Sequence, residues 1–131
     1  MDDRELLEHA KNIKVNSYSP YSRFRVGAAV LAQSGEIYCG VNIENASFGA
    51  TNCAERTAIF TAISAGEQKI KAIAISGDST GIIYPCGICR QVIAEFASEG
   101  TKVICGGNNN EFRVFKLKDL LPNAFLKDTI E

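Results

Sequence analysis

The sequence predicts an α/β fold in which helices pack on the faces of a mixed β-sheet. Near the N-terminus, two apolar segments flank a short polar turn, which is typical of an antiparallel hairpin. Farther along, helical and extended patterns alternate, which favours a parallel portion of the sheet. The 131 residues contain no linker-like or like-charged run, so we expect a single domain over residues 1–131.

The first helix is expected over residues 3–16. Its apolar side chains recur at helical spacing, and the aspartates before them favour a helix N-terminus; the apolar positions are Leu6, Leu7, Ala10 and Ile13. The one histidine, His9, lies in this pattern, where we expect a solvated or partly packed side chain. Acid–base chemistry must then come mainly from carboxylates, thiols or a water activated by a metal.

The hairpin is expected after the break at residues 19–21. Residues 24–31 read as a buried strand, residues 33–36 as a turn, and residues 37–42 as the partner strand. The two strands are therefore expected to be antiparallel neighbours.

The alternating half begins with an alanine-rich helix over residues 53–65, which stops at Gly66. A strand over residues 70–76 follows. Apolar residues at helical spacing then mark a third helix from Ile88 to Phe96. This order places a helix between two extended segments, as a parallel crossover requires.

Two more strands are expected at residues 102–105 and 112–117, and a short helix at residues 119–121, limited by the proline that follows. The tail, residues 122–131, has few apolar side chains with which to pack. We therefore expect it to be flexible or docked on a neighbouring subunit.

Composition narrows the range of functions. The formal net charge is -1 and no stripe of Lys or Arg is present, so we expect no nucleic-acid partner and a small substrate instead. The charged segment 1–7 has no apolar stretch of signal-peptide or membrane-spanning length, so we expect a cytoplasmic protein without a membrane partner. Five cysteines, an odd number, point to metal binding or reactive thiols rather than a disulfide framework.

Two cysteine motifs fall at expected helix N-termini: Cys53-Ala54-Glu55 and Pro85-Cys86-Gly87-Ile88-Cys89. One helical turn brings the sulfurs of Cys86 and Cys89 to the same side, and helix N-termini favour thiolate over thiol. Thiolates from Cys53, Cys86 and Cys89 fill three positions of a tetrahedral zinc ion and leave the fourth for water, which is the arrangement of a catalytic site.

Two residues beside Cys53 complete the predicted chemistry. Glu55 can accept a proton from the water and deliver it elsewhere, so we assign it as the proton shuttle. Three thiolates weaken zinc as a Lewis acid, and the guanidinium of Arg56 can offset their charge by donating hydrogen bonds to the sulfurs.

Other interpretations remain open. Glu55 can be half of a capping box if Asn52 is the N-cap of its helix. Cys39 and Cys105 look like ordinary core residues, but either could close a structural zinc site in a non-catalytic interaction module. The glutamate beside the cysteine motifs favours the open, catalytic site.

Four separated blocks match one family pattern: YSRFRVGAA (21–29), NIENA (42–46), CAERTA (53–58) and PCGICRQ (85–91). Through them the chain resembles the small homotetrameric zinc-dependent cytidine deaminases over nearly its whole length. The resemblance implies a three-layer α/β/α sandwich around a five-stranded mixed sheet and one zinc ion per subunit. It also implies hydrolysis of cytidine and deoxycytidine to uridine and deoxyuridine, a reaction of pyrimidine salvage.

The resemblance also implies roles in substrate binding. Asn42 and Glu44 would bind the ribose hydroxyls, and Phe24 would pack against the base. Backbone groups of Ala54 and of the Cys86 segment would bind the polar edge of the base. Glu55 would protonate its ring N3.

Phe125 would come from a neighbouring subunit and cover the base. The alternative for this residue is a local packing role within its own chain.

Two residues depart from the family pattern. Phe48 stands where tyrosine is frequent and lacks the hydroxyl that a contact between subunits would use, and Ile88 replaces the usual alanine. A nucleotide, a base within RNA or DNA, or a nucleoside antibiotic such as blasticidin are alternative substrates. Glu44 argues against the phosphate-bearing ones because it would repel a phosphate.

Overall fold

The computed structural model describes residues 1–130. The elements are α1 (Asp3–Ile13), β1 (Val26–Ala32), β2 (Ile37–Val41), α2 (Ala54–Ser64), β3 (Ile70–Gly77), α3 (Gly87–Phe96), β4 (Ala97–Gly106), β5 (Phe112–Lys116), α4 (Leu117–Leu120) and α5 (Lys127–Ile130). Helix α1 begins as the sequence predicts, because the Asp2 carboxylate caps it by accepting a hydrogen bond from the Glu5 N–H.

The strands form a five-stranded mixed sheet in the order β2-β1-β3-β4-β5. Strands β1 and β2 form the predicted hairpin, with Ala29 opposite Cys39. Strands β3 and β4 are parallel and are joined through α3, with Ile75 opposite Cys105. The remaining pairs are antiparallel, so the predicted mixed sheet with a parallel portion is confirmed.

Helices cover both faces of the sheet. Leu6, Leu7 and Ala10 of α1 are buried on one face, in a cluster with residues of β1, β3 and β4. On the other face, Ile59 of α2 and Ile93 of α3 are buried against alternate residues of the same strands. This arrangement is the expected three-layer α/β/α sandwich.

The packing of α2 on the hairpin depends on a glycine. A Cβ atom at Gly40 would lie 2.4 Å from the backbone nitrogen of Ala58, so the helix approaches the backbone of β2 directly. The N-terminal end of α2 is thereby held beside the ends of β1 and β2.

Several element boundaries differ from the predictions; α1, for example, ends at Ile13 rather than residue 16. Strand β1 begins at Val26 rather than residue 24, because the side chain of Asn42 occupies both the Phe24 carbonyl and the Val26 N–H. Helix α4 ends at Leu120, since the residue before a proline disfavours helical backbone. Strand β4 begins at residue 97 rather than 102, and its start pairs with β3 across a register irregularity.

The tail makes a local contact with α3: the Phe125 carbonyl accepts a hydrogen bond of 2.7 Å from Gln91 Nε2. Docking of residues 122–131 on a neighbouring subunit stays a prediction, and Glu131 lies outside the described residues. Within residues 1–130 we find no helix with the length and apolar content needed to span a membrane.

Candidate active site

Two helix N-termini bring three sulfur atoms together. Cys53 and Cys86 are the N-cap residues of α2 and α3, and Cys89 is the third residue of α3. Their sulfurs all lie within 4.8 Å of one another, and those of Cys53 and Cys86 are 3.9 Å apart. A tetrahedral zinc ion with Zn–S bonds of about 2.3 Å needs sulfurs about 3.8 Å apart. The distance between the sulfurs of Cys53 and Cys86 matches this value, so the cluster fits a zinc ion.

The other two cysteines lie elsewhere. Cys39 packs against the core cluster on the α1 face of the sheet, and Cys105 is buried in the core under α2 and α3. Neither belongs to the group of clustered metal-ligand atoms in residues 1–130. The alternative of a site closed by a fourth cysteine is therefore wrong for this arrangement.

Hydrogen bonds to sulfur favour an anionic cluster. The pKa of Cys53 is lowered to about 5, first because the Cys89 thiol donates to its sulfur and then because Arg56 does. The Arg56 guanidinium lies 3.4 Å from that sulfur. The Cys53 thiolate in turn holds the pKa of Cys89 above its usual range, and burial acts in the same direction. The group of three sulfurs therefore carries negative charge, which favours the binding of a cation.

Glu55 lies beside the sulfurs and is only 5% exposed. Burial raises its pKa to about 7, and the nearby negative charge of Cys53 adds to the effect. A carboxyl group with this pKa both accepts and donates a proton near neutral pH. The capping-box interpretation is wrong because the N-cap of α2 is Cys53, not Asn52, which puts Glu55 at the second helical position.

A pocket of about 310 Å³ opens onto this group. It is lined by most of the residues that the sequence singles out, namely Phe24, Asn42, Glu44, Cys53, Ala54, Glu55 and Cys86. Five other lining residues are not among the predicted site residues: Val26, Thr51, Asn52, Ile83 and Tyr84. Tyr84 could have been found, since it stands directly before the second cysteine motif.

Asn42 has one free donor at the pocket. Its Oδ1 accepts hydrogen bonds from the Val26 N–H and the Ser17 hydroxyl, and its Nδ2 donates to the Phe24 carbonyl. Within residues 1–130 this leaves the second Nδ2 hydrogen for a ligand. Asn42 can therefore donate to a hydroxyl oxygen.

Glu44 offers a matching acceptor. Its Oε1 accepts from the backbone N–H groups of Tyr21 and Ser22, and its Oε2 accepts from the Ser22 hydroxyl. These bonds lower the pKa of Glu44, the Ser22 hydroxyl most of all, so the carboxylate is ionised at neutral pH. Oε2 keeps a lone pair with which to accept a hydroxyl hydrogen.

Several singled-out residues lie outside this pocket. Phe125 is 62% exposed and does not line it. Ile88 is also exposed, so its extra volume does not fill the pocket wall of its own chain. Phe48 is exposed and contacts Tyr21 edge to face, with ring centroids 5.9 Å apart. Arg90 Nε donates a hydrogen bond to the Pro85 carbonyl, which fixes the residue directly before Cys86.

Comparison with known families agrees with this geometry. Residues 1–107 match the family described as the cytidine and deoxycytidylate deaminase zinc-binding region. The chain belongs to this family. Because the family is defined by a zinc-binding region and the three sulfurs fit that ion, the cofactor of the site is zinc.

Individual members of the family are similar along nearly their whole length. A cytidine deaminase of Halalkalibacterium halodurans is 46% identical over 125 residues, covering 95% of each chain. A cytidine deaminase of Sporosarcina psychrophila is 45% identical over 130 residues, covering 99% of this chain and 96% of the relative. The crystal structure of cytidine deaminase from Burkholderia pseudomallei superposes with a TM-score of 0.89 at 44% identity, covering 95% of this chain and all of the other.

Proposed function

We propose that this chain hydrolyses cytidine and deoxycytidine to uridine and deoxyuridine with release of ammonia. One observation carries the proposal: the three-sulfur cluster and the buried Glu55 lie at the same pocket as Asn42 and Glu44. A metal centre and a proton carrier are thus combined with groups able to bind a hydroxyl-rich ligand.

Cys53, Cys86 and Cys89 hold the zinc ion in this proposal. Bound zinc supplies Lewis-acid activation of the attacking water. Glu55 takes a proton from that water and delivers it to the ring N3, which makes C4 electrophilic. Oxygen then bonds to C4. Glu55 takes the remaining proton of that hydroxyl and passes it to the exocyclic nitrogen, so the bond from C4 to this nitrogen breaks, ammonia leaves and the C4 carbonyl of the product forms.

The remaining lining residues orient the nucleoside. The free Asn42 N–H and the Glu44 Oε2 bind the ribose hydroxyls, one as donor and one as acceptor. Phe24 packs against the base, and the N-terminal backbone of α2 at Ala54 offers hydrogen bonds to its polar edge.

The pocket favours a free nucleoside over a nucleotide or a polymer. Its volume of about 310 Å³ is at the small end of ligand pockets. Ionised Glu44 at the sugar side disfavours a phosphate group nearby. Hydrolysis of cytidine 5′-monophosphate should therefore be inefficient.

We further propose a single-domain subunit that assembles as a homotetramer with shared active sites. Phe125, exposed in its own chain, would cover the base in a neighbouring pocket, and the tail 122–131 would dock there. Exposed Phe48 and Ile88 are apolar side chains that such an interface would bury. A cytoplasmic location suits the free thiols of the described chain, because a reducing compartment preserves them.

The test is an ultraviolet assay of purified protein on cytidine, before and after chelation, with metal analysis alongside. We expect absorbance loss, ammonia release and about one zinc ion per chain, with activity abolished by chelation and restored by zinc. Cytidine 5′-monophosphate and a short oligonucleotide serve as comparison substrates, and Glu44→Gln should improve the monophosphate relative to cytidine. Metal-loaded protein that leaves cytidine unchanged would refute the proposed reaction.

A further inference from the structure

Lys14 is a buried lysine with no part in the proposed chemistry. It lies just after α1 and is only 5% exposed. Its Nζ donates hydrogen bonds to the Gly77 carbonyl at 3.0 Å and to Asn108 Oδ1 at 2.8 Å, and it lies 3.5 Å from Asp78 Oδ1. A buried ammonium group is tolerated only where it is paired in this way. Lys14 therefore joins three segments that are distant in sequence.

Gly77 connects this lysine to the pocket. A Cβ atom at Gly77 would lie 2.7 Å from Cδ1 of Ile83 and 2.9 Å from the ring of Phe24. The backbone of Gly77 is thus in direct contact with these two side chains, and both of them line the pocket. The carbonyl that Lys14 binds therefore belongs to the residue against which the side chains of Phe24 and Ile83 pack.

Asp78 fixes the segment that carries Phe24. Its Oδ2 accepts hydrogen bonds from the backbone N–H of Arg25 at 3.0 Å and from Arg25 Nε at 2.9 Å. In return, the N–H of Asp78 donates to the Arg25 carbonyl at 3.1 Å. Arg25, the residue next to Phe24, therefore both donates hydrogen bonds to Asp78 and accepts one from it.

Asn108 fixes the loop that carries Ile83. The N–H of Asn108 donates to the Ser79 carbonyl at 2.7 Å, and the N–H of Ile83 donates to the Gly106 carbonyl at 3.2 Å. Lys14 binds the Asn108 side chain, so its ammonium group restrains both the segment that carries Phe24 and the loop that carries Ile83.

We propose that Lys14 is a positioning residue for substrate binding: through Gly77, Asp78 and Asn108 it sets the distance between the Phe24 and Ile83 walls of the pocket. Lys14 does not line the pocket itself. Its effect is therefore on how tightly the ligand is held, not on proton transfer. This inference rests on the proposed function, because the ligand it concerns is a pyrimidine nucleoside.

The test is Lys14→Met, which keeps much of the side-chain volume and removes the charge. We expect the KM for cytidine to rise about fivefold while kcat stays within about twofold, because both ground state and transition state lose the same wall contact. The dissociation constant for uridine, measured by calorimetry, should rise by the same factor. Zinc content should not change.

Lys102→Met is the matched control. Lys102 also pairs with an aspartate, Asp3, at 2.6 Å, but it does not line the pocket or contact Gly77. We expect this variant to keep the KM of the unmodified chain even if its melting temperature falls. A role of Lys14 in stability alone would lower the melting temperature of Lys14→Met and leave its KM unchanged, which would overturn the inference.

Asp78→Asn is the second variant, for use if Lys14→Met does not fold. It keeps the size of the side chain and weakens its bonds to Arg25 and Lys14. A raised KM with nearly constant kcat supports the inference, and an unchanged KM in the folded variant rejects it. If the unmodified chain binds uridine but does not turn over cytidine, the proposed reaction fails, and the uridine affinities of the variants still decide the role of Lys14.

Discussion

The Arg56 guanidinium donates a hydrogen bond of 3.4 Å to the sulfur of Cys53, which is the N-cap residue of the same helix, α2. The hydrogen bond to Cys53 in turn raises the pKa of Arg56, while burial opposes it. Its Nη2 makes this contact with sulfur, whereas its Nε is buried without a hydrogen-bond partner in the described chain. A fixed positive charge thus lies against an anionic metal-binding group.

Replacing Arg56 by glutamine should lower activity more than zinc content. Without the guanidinium, the three thiolates donate their full charge to the metal, which weakens it as a Lewis acid. We expect kcat to fall by about 10- to 100-fold, the usual effect of losing a partner of a metal ligand. The measurement is kcat on cytidine with zinc quantified in the same sample.

Arg4→Gln is the control for this change. Arg4 lies over the Phe112 ring on the α1 face of the sheet, away from the metal-binding group. It should keep full activity. Equal kcat values for Arg56→Gln and the unmodified chain would contradict the electrostatic role of Arg56.

Replacing Glu55 by glutamine should abolish most turnover and leave the fold and zinc in place. Glutamine fills the same buried space but cannot accept the proton of the attacking water. General acid–base catalysis contributes about 100- to 10 000-fold, so we expect kcat to fall by that range. Glu8→Gln, an exposed glutamate of α1, is the control and should have no effect. Undiminished turnover in zinc-loaded Glu55→Gln protein would mean that another group moves the proton.

The helices, the hairpin and the proximity of Cys86 to Cys89 could be predicted because their signals are local, whereas the three-layer, five-stranded architecture is implied by the family resemblance. The apolar spacing of Leu6, Leu7 and Ala10 defines one face of a helix within three turns. Likewise, Cys86 and Cys89 meet because they are one helical turn apart, and Cys53 joins them once its helix packs on the hairpin. Each step depends on neighbouring residues or on a single packing contact.

Phe24 was expected at the pocket, but the contacts that support the pocket wall could not be predicted, because they join segments that are far apart in the sequence. Lys14 meets Gly77 and Asn108 across 63 and 94 residues, and no periodic pattern marks such a meeting. The start of β1 differs from the prediction for a similar reason: the Asn42 side chain, rather than a neighbouring strand, binds the Phe24 carbonyl. Patterns of hydrophobicity do not report hydrogen bonds made by a side chain to a distant backbone.

The two fully buried cysteines give a matched pair for testing the metal site. Cys89 and Cys105 are both 0% exposed, but only Cys89 belongs to the sulfur cluster. Cys89→Ala should lose zinc and activity, since two sulfurs cannot hold the ion tightly. Cys105→Ala should keep zinc and lose only the packing of a small side chain in the core. Metal analysis after dialysis measures the difference, and zinc release from Cys105→Ala would reopen the possibility of a fourth cysteine ligand.

Asp78 should make stability depend on pH in the acid range. Its pKa is held below the ordinary value of 3.8, first by the hydrogen bond from Arg25 and also by the charge of Lys14, while burial opposes them. A carboxyl group whose pKa is depressed in the folded state stabilises the protein above its unfolded pKa. That stabilisation is lost as pH falls through the folded pKa.

Comparing the unmodified chain with Asp78→Asn isolates this effect from the protonation of the zinc thiolates, which is common to both. The free energy of unfolding in urea should be about 1 kcal/mol higher for the unmodified chain near neutral pH, a modest value because Arg25 is about half exposed. The difference should shrink below about pH 4, where the carboxyl group is protonated in the unfolded chain and then in the folded one. A difference that stays constant from neutral pH to about pH 2 would mean that Asp78 stabilises the protein through its shape and not through its charge.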